Sequence, residues 1–151
     1  MERVFLGIGS NIGDRLKHLQ SAVEFIERIP KTEIINTSSV FETEPVGFKA
    51  QAFFYNAVLE IRTELDIMQL FKRLKKIEEK IGRVETFQWG PREIDIDILY
   101  YGNSVTVTAE VIVPHPRNSE RRFVLEPMNE IAPDFIDLLR KSSIRHLLED
   151  C

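Results

Sequence analysis

The stretch QWGPREIDIDILYYG, residues 88–102, alternates apolar and acidic side chains through its centre: Ile94, Asp95, Ile96, Asp97, Ile98. A period of two is the pattern of a β-strand with one buried face. The isoleucines belong on the core side. Asp95 and Asp97 then share the opposite side, about 6.6–6.8 Å apart along the strand, with Leu99 and Tyr101 expected beside them. Gly90-Pro91 sets a rigid turn before the strand.

Working outward, Val4 to Ile8 reads as a strand that stops at Gly9-Ser10-Asn11. Asp14 is placed to cap a helix carrying Leu16, Leu19, Val23 and Ile26 at helical spacing, with Pro30 beyond its end. Glu33 to Thr43 is rich in Ile, Thr, Val and Phe and reads as one strand. Residues 44–52 form a loop containing Pro45 and Gly47, and Phe53 to Arg62 returns to strand character. Thr63 and Asp66 have capping-box spacing. Ile67, Phe71, Leu74, Ile77 and Ile81 make an apolar stripe that ends at Gly82, a suitable C-terminal cap. Residues 83–92 are a second loop, and Glu93 to Tyr101 is the fourth strand. The order β-α-β-β-α-β predicts an α+β, ferredoxin-like fold: an antiparallel sheet with both helices on one face. Residues 103–151 form a C-terminal extension, with a hairpin over Val105 to Val113, a helix over Glu120 to Asn129 and another over Ile144 to Asp150. The 151 residues are expected to make a single domain.

Composition narrows the function classes. The net charge of −4 opposes broad nucleic-acid binding, which needs a basic face. The lone cysteine, Cys151, has no internal disulfide partner, which favours a reducing compartment. No apolar run reaches membrane-spanning length, and the first apolar run is too short for a signal-peptide core. The expectation is a cytoplasmic protein with no nucleic-acid or membrane partner.

Two close carboxylates repel each other, and one tends to hold a proton unless a cation relieves the conflict. Hard oxygen ligands favour Mg²⁺, which takes one or two carboxylates together with phosphate oxygens. Without a Cys/His cluster, zinc is disfavoured. Taken alone, the pair also fits the acidic, solvent-facing side of an amphipathic strand. Its flanks carry arginine: Arg83 and Arg92 bound the preceding loop, and Arg117, Arg121 and Arg122 follow His115 in VPHPRNSERRF. Guanidinium groups around a metal-binding carboxylate pair suit a polyphosphate.

The chain resembles the 6-hydroxymethyl-7,8-dihydropterin pyrophosphokinase family of folate biosynthesis. The resemblance is carried by WGPREIDIDILYYG (89–102), supported by LGIGSNIGDR (6–15), FETEPVGF (41–48), FYNAV (54–58), IEEKIGR (77–83) and VPHPRNSERRFVLEPMNEIAP (113–133). It implies transfer of pyrophosphate from ATP to the hydroxymethyl oxygen of a reduced pterin, releasing AMP, with two Mg²⁺ ions held by Asp95 and Asp97. It implies ATP contacts at Glu78, Arg83, Trp89, Arg92, Ile98, His115 and Arg121. Arg83 and Arg92 would also favour the transition state, and the loops at 44–52 and 83–92 would close over ATP, with Trp89 in the second. Phe54 and Phe123 would sandwich the pterin, and Thr43, Asn56 and the backbone of Val46 would meet its edge. Ser10-Asn11 would buttress the neighbouring loop. Glu85, Glu110 and Pro116 depart from residues that some members carry at ATP contacts. The implied partners are small molecules, and a monomer is expected. The alternative is a non-catalytic ferredoxin-like module binding a pterin or nucleotide. An RNA-binding sheet would carry aromatic and basic residues where this one places Asp95 and Asp97.

Overall fold

The computed structural model describes residues 1–45, 50–82 and 93–151. In chain order these are β1 (Glu2–Ser10), α1 (Arg15–Glu27), β2 (Thr32–Thr37), β3 (Phe41–Thr43), β4 (Phe54–Thr63), α2 (Ile67–Ile81) and β5 (Asp95–Tyr101). There follow β6 (Thr106–Val107), β7 (Ile112–Val113), a 3-10 turn η1 (Asn118–Glu120), α3 (Arg122–Ile131), β8 (Ile136–Asp137), β9 (Ser142–Ser143) and α4 (Ile144–Glu149). The main sheet has the order β2-β4-β1-β5, with β3 also paired to β4, and every pairing is antiparallel. This is the expected ferredoxin-like arrangement.

Alternation fixes which face is which. Val4, Leu6 and Ile8 of β1, Ala57, Leu59 and Ile61 of β4, and Ile96 and Ile98 of β5 enter one core with α1 and α2. Ile94, just before β5, joins them. Burying each isoleucine contributes about 1.5–3 kcal/mol. A one-residue slip of β5 would expose all three and bury the aspartates, so the register is strongly specified. The Asp14 side chain caps α1 by accepting from the Lys17 N–H at 3.1 Å. The capping box of α2 lies three residues later than its sequence spacing suggested: Asp66 is the N-cap, exchanging hydrogen bonds with Gln69. Thr63 instead ends β4, its hydroxyl accepting from the Leu65 N–H. Gly82 closes α2 in the left-handed conformation, φ 109°.

The expected single strand over 33–43 is broken. Ser38 donates its N–H to the Val58 carbonyl, and its Oγ accepts from the Val58 N–H at 2.9 Å. A hydroxyl thus stands in for a ladder carbonyl, and side-chain competition of this kind interrupts strands. Ser39 is held by Glu130 of α3. The helix expected over 120–129 starts later, at Arg122, after η1, and continues through Pro127 to Ile131. Its buried stripe of Val124, Leu125 and Met128 outweighs the hydrogen bond that Pro127 cannot donate. The β8-β9 pair had no sequence signal beyond short runs.

The extension covers the second face of the sheet. Phe5, Val58, Leu99 and Tyr100 pack there with Val124, Leu125, Met128, Ile144 and Leu147 of α3 and α4. The ladder pairs Leu6 with Ile98 and Phe5 with Tyr100, so Leu99 is a bulge. This corrects the expected neighbour of the aspartates. Leu99 and Tyr100 both face the extension, whereas Tyr101 turns to the first core and donates its hydroxyl to the Leu65 carbonyl. The Tyr100 hydroxyl donates to Asp137 Oδ2 at 2.5 Å, and Asp137 Oδ1 accepts from the N–H groups of Leu139 and Arg140. Burial, then the Asp137 carboxylate, push the Tyr100 phenol well above its ordinary pKa. Tyr100→Phe removes one donor from a buried carboxylate and is expected to cost about 1–3 kcal/mol. Thermal unfolding followed by circular dichroism should show Tm lower by about 2–4 °C for each kcal/mol; an unchanged Tm would show that this bond does not anchor the extension.

Candidate functional site

The site lies on the second face, among β1, β3, β4, β5 and the start of α3. Gly9 and Gly7 of β1 pair with Asp95 and Asp97 on one side and with Asn56 and Val58 of β4 on the other. Without side chains at these two positions, the sheet leaves a cavity of about 140 Å³. Its walls include Thr43, Phe54, Asn56, Asp95, Asp97, Arg121 and Phe123. A Cβ on Gly9 would come within 2.6 Å of Asn56 Oδ1, so the Asn56 amide would have to shift to admit one. Neither glycine was among the expected site residues, although their spacing in LGIGS was visible on one strand face.

Asp95 and Asp97 are brought together as the alternation required. The Asp97 carboxyl is pushed up toward about 7, first by burial and then by the neighbouring Asp95 and by Glu78; Lys75 and Arg121 pull it back. By surface area Asp97 is exposed to the open cavity, although protein surrounds it on its other sides. Solvent in the cavity tempers the shift, and its upward direction stands. Two adjacent carboxylates, one of them reluctant to ionise, make a donor set that suits a hard divalent cation. Among the described residues no group of three or more His, Cys, Asp or Glu forms a metal cluster, so further ligands to such a cation would come from a bound molecule or water.

Glu78 is buried, 2% exposed, where an isolated helix carboxylate would be solvated. Its Oε2 accepts from the Ile96 N–H at 2.7 Å, and Lys75 Nζ donates to Oε1 at 3.1 Å. β5 is an edge strand, and this bond satisfies the outward N–H midway between the two aspartates. The side chain of Ile98 is in the first core, so the part of Ile98 that faces outward is its backbone on the same edge.

Thr43, Phe54, Asn56 and Phe123 line the cavity together. Asn56 Nδ2 donates to Thr43 Oγ1 at 2.6 Å, which orients both polar groups. Arg121, half-buried, has its guanidinium 5.6 Å from the centroid of the Phe123 ring and within electrostatic reach of both aspartates. His115 accepts the Arg117 N–H at Nδ1, 3.0 Å, so its neutral ring carries the proton on Nε2. Burial, Arg121 and Arg117 lower its pKa and keep that neutral form at neutral pH. Asn11 buttresses the neighbouring loop as expected: Nδ2 donates to Gln51 Oε1 at 2.8 Å and to the Ala52 carbonyl at 3.0 Å. Arg15 adds a bond to the Phe53 carbonyl at 2.8 Å and stacks 3.9 Å over the Tyr55 ring. Val46, Arg83, Trp89 and Arg92 lie outside the described residues, as does Glu85.

The raised Asp97 pKa fixes a sign. The folded chain holds this proton after the unfolded chain has lost it, so its contribution to stability falls as pH rises from about 3.8 to about 7. Asp97→Asn removes the penalty. In the absence of divalent cation the variant is expected to melt about 2–4 °C above the parent at pH 8, about 1 kcal/mol after allowing for solvent in the cavity, and to gain nothing at pH 4. Equal melting at pH 8 would show that the carboxylate is fully solvated.

A family model described as 7,8-dihydro-6-hydroxymethylpterin-pyrophosphokinase (HPPK) matches residues 5–133. The 2-amino-4-hydroxy-6-hydroxymethyldihydropteridine pyrophosphokinase of Aquifex aeolicus is 41% identical over 145 residues, covering 96% of this chain and 89% of that protein. The protein of the same description from Bacillus subtilis is 42% identical over 127 residues, covering 84% of this chain and 76% of its own length. A crystal structure of Plasmodium falciparum HPPK-DHPS with pteroate superposes with a TM-score of 0.80 at 16% identity. That match covers 99% of this chain but 42% of the solved one, and it speaks for the fold alone.

Proposed function

The chain belongs to the 7,8-dihydro-6-hydroxymethylpterin-pyrophosphokinase family, and from that membership we propose that it transfers pyrophosphate from ATP to the hydroxymethyl oxygen of 6-hydroxymethyl-7,8-dihydropterin, releasing AMP, in folate biosynthesis. The observation that carries the reading to this chain's own residues is the cavity that joins an aspartate pair to a polar, aromatic wall. We further propose one pyrophosphokinase domain over residues 1–151, acting as a cytoplasmic monomer on small molecules. No described helix is long and apolar enough to cross a membrane.

Asp95 and Asp97 would hold Mg²⁺, two ions by the family resemblance, which when bound neutralises phosphate charge and makes the attacking alcohol more acidic. The protein's residues do the positioning. Phe54 and Phe123 present ring faces to the flat pterin, and the Asn56-Thr43 pair meets its polar edge. This sets the hydroxymethyl group near the aspartates. Arg121 would meet the charge that accumulates on the transferring phosphates, and His115 would donate from Nε2 to a phosphate oxygen without adding a full charge. Glu78 contributes by fixing the backbone between Asp95 and Asp97, and the outward edge of β5 at Ile98 is available to the nucleotide. Arg83, Trp89 and Arg92 are proposed from the resemblance to complete the ATP side, as is the Val46 backbone on the pterin side. An in-line displacement needs little covalent help from the protein, so holding the reactants in place and stabilising charge account for the catalysis.

The test is AMP formation from ATP with the pterin alcohol, with and without Mg²⁺. The reading expects Mg²⁺-dependent AMP release, a loss in kcat on the order of 10³-fold in Asp97→Ala, and a native circular dichroism spectrum for that variant. Binding of both molecules without AMP release would identify a non-catalytic module instead. Gly9→Ala, which drives a methyl group against Asn56 Oδ1, should raise KM for the pterin about tenfold and leave KM for ATP within about twofold. An unchanged pterin KM would remove the Asn56 wall from the pterin site.

A further inference from the structure

One of the buried polar side chains without a part in the proposed chemistry lies beside the site. Asn118, in η1, is 1% exposed. Its Nδ2 donates to the Leu99 carbonyl at 3.0 Å. Leu99 is the bulged residue of β5, two positions beyond Asp97. The Asn118 backbone meanwhile donates to the His115 carbonyl at 3.1 Å and accepts from the Arg121 N–H at 3.3 Å. A single residue therefore grips the aspartate strand with its side chain and the His115–Arg121 segment with its backbone.

The Asn118 side chain also hydrogen-bonds Tyr100, so it meets two successive residues of β5. Asn118 Oδ1 is buried with no hydrogen-bond partner among the described residues. An unpartnered amide oxygen inside protein costs stability that an apolar side chain would avoid. What asparagine supplies is a donor of the right length to reach the carbonyl exposed by the bulge. The far side of the segment is held separately: Arg140 donates to the Pro116 carbonyl and to Ser119 Oγ, both at 3.1 Å. Loss of the Asn118 bond would leave the turn attached there but free to shift relative to β5.

We infer that Asn118 is a positioning residue that sets Arg121 against the Asp95-Asp97 pair and thereby sets the strength with which the site holds a polyphosphate. This rests on the proposed nucleotide site, and its effect runs through Arg121 rather than through contact with the reacting atoms. The pterin wall is built on β3 and β4, and its Phe123 belongs to α3, which Val124, Leu125 and Met128 anchor in the second core.

The test is calorimetric binding of Mg²⁺ with α,β-methylene-ATP, and separately of the pterin alcohol, to the intact chain. Asn118→Ala and Asn118→Leu both remove the donor, the second with little change of volume and no added charge, so loss of folding in one leaves the other to decide. Each is expected to weaken nucleotide binding about tenfold while pterin affinity stays within about twofold. In an Arg121→Ala background, adding Asn118→Ala should cost less than about twofold more, because the two substitutions remove the same interaction. Unchanged nucleotide binding in both Asn118 variants, full additivity with Arg121→Ala, or equal loss of both ligands would overturn the inference. Failure of the parent chain to bind the nucleotide would overturn the proposed function and this inference with it, whereas a binding parent with indifferent Asn118 variants would overturn the inference alone.

Discussion

The structure turns on the burial of three isoleucines. Ile94, Ile96 and Ile98 enter the core beneath α1 and α2, and because side chains alternate along a strand, Asp95 and Asp97 have one remaining direction to point. A strand that carried these carboxylates with a weaker apolar face could slip by a residue. Here the slip would exchange three buried aliphatic groups for two buried charges, and both changes are unfavourable. The Ile96 N–H bond to Glu78 holds the same segment from its open edge. The acidic pair is thus fixed by hydrophobic register on one side and by a buried carboxylate on the other.

The second face is built by subtraction and addition. Gly7 and Gly9 remove side chains from β1 where the aspartates and Asn56 approach, and the extension adds α3 and α4 over the remainder. Tyr100 and Asp137 anchor that extension to β5 through a buried hydrogen bond, so the chain segment that supplies Phe123 and Arg121 is tied to the strand that supplies Asp95 and Asp97. The cavity is what the glycines leave uncovered and the extension walls in. Its lining combines two carboxylates and a guanidinium with aromatic rings and an amide.

Much of this was legible in the sequence because it follows from period. The strand-helix order, the buried isoleucines and the shared face of the aspartates all come from spacing, and the caps at Asp14 and Gly82 come from residue type. The resemblance in WGPREIDIDILYYG and the flanking blocks supplied the candidate pterin wall, which aromatics on a strand and a helix would not have suggested. What was hidden depends on three-dimensional partners. The Leu99 bulge moved Tyr101 to the other core, since one extra residue in a ladder leaves no compositional trace. Ser38 broke a strand by competing for Val58. Glu78 looked like a solvated helix residue until the β5 edge met it, and Asn118 had no signal at all, because its partners on β5 meet it only in the fold.

The central claim is that the strand alternation presents Asp95 and Asp97 together to divalent cation shared with the nucleotide. Anomalous diffraction from a crystal grown with Mn²⁺, an unreactive ATP analogue and the pterin alcohol tests it most directly. The account predicts metal density within coordinating distance of oxygens from both aspartates and of the analogue's phosphates. Metal bound to the phosphates alone, with the two carboxylates turned away, would contradict it.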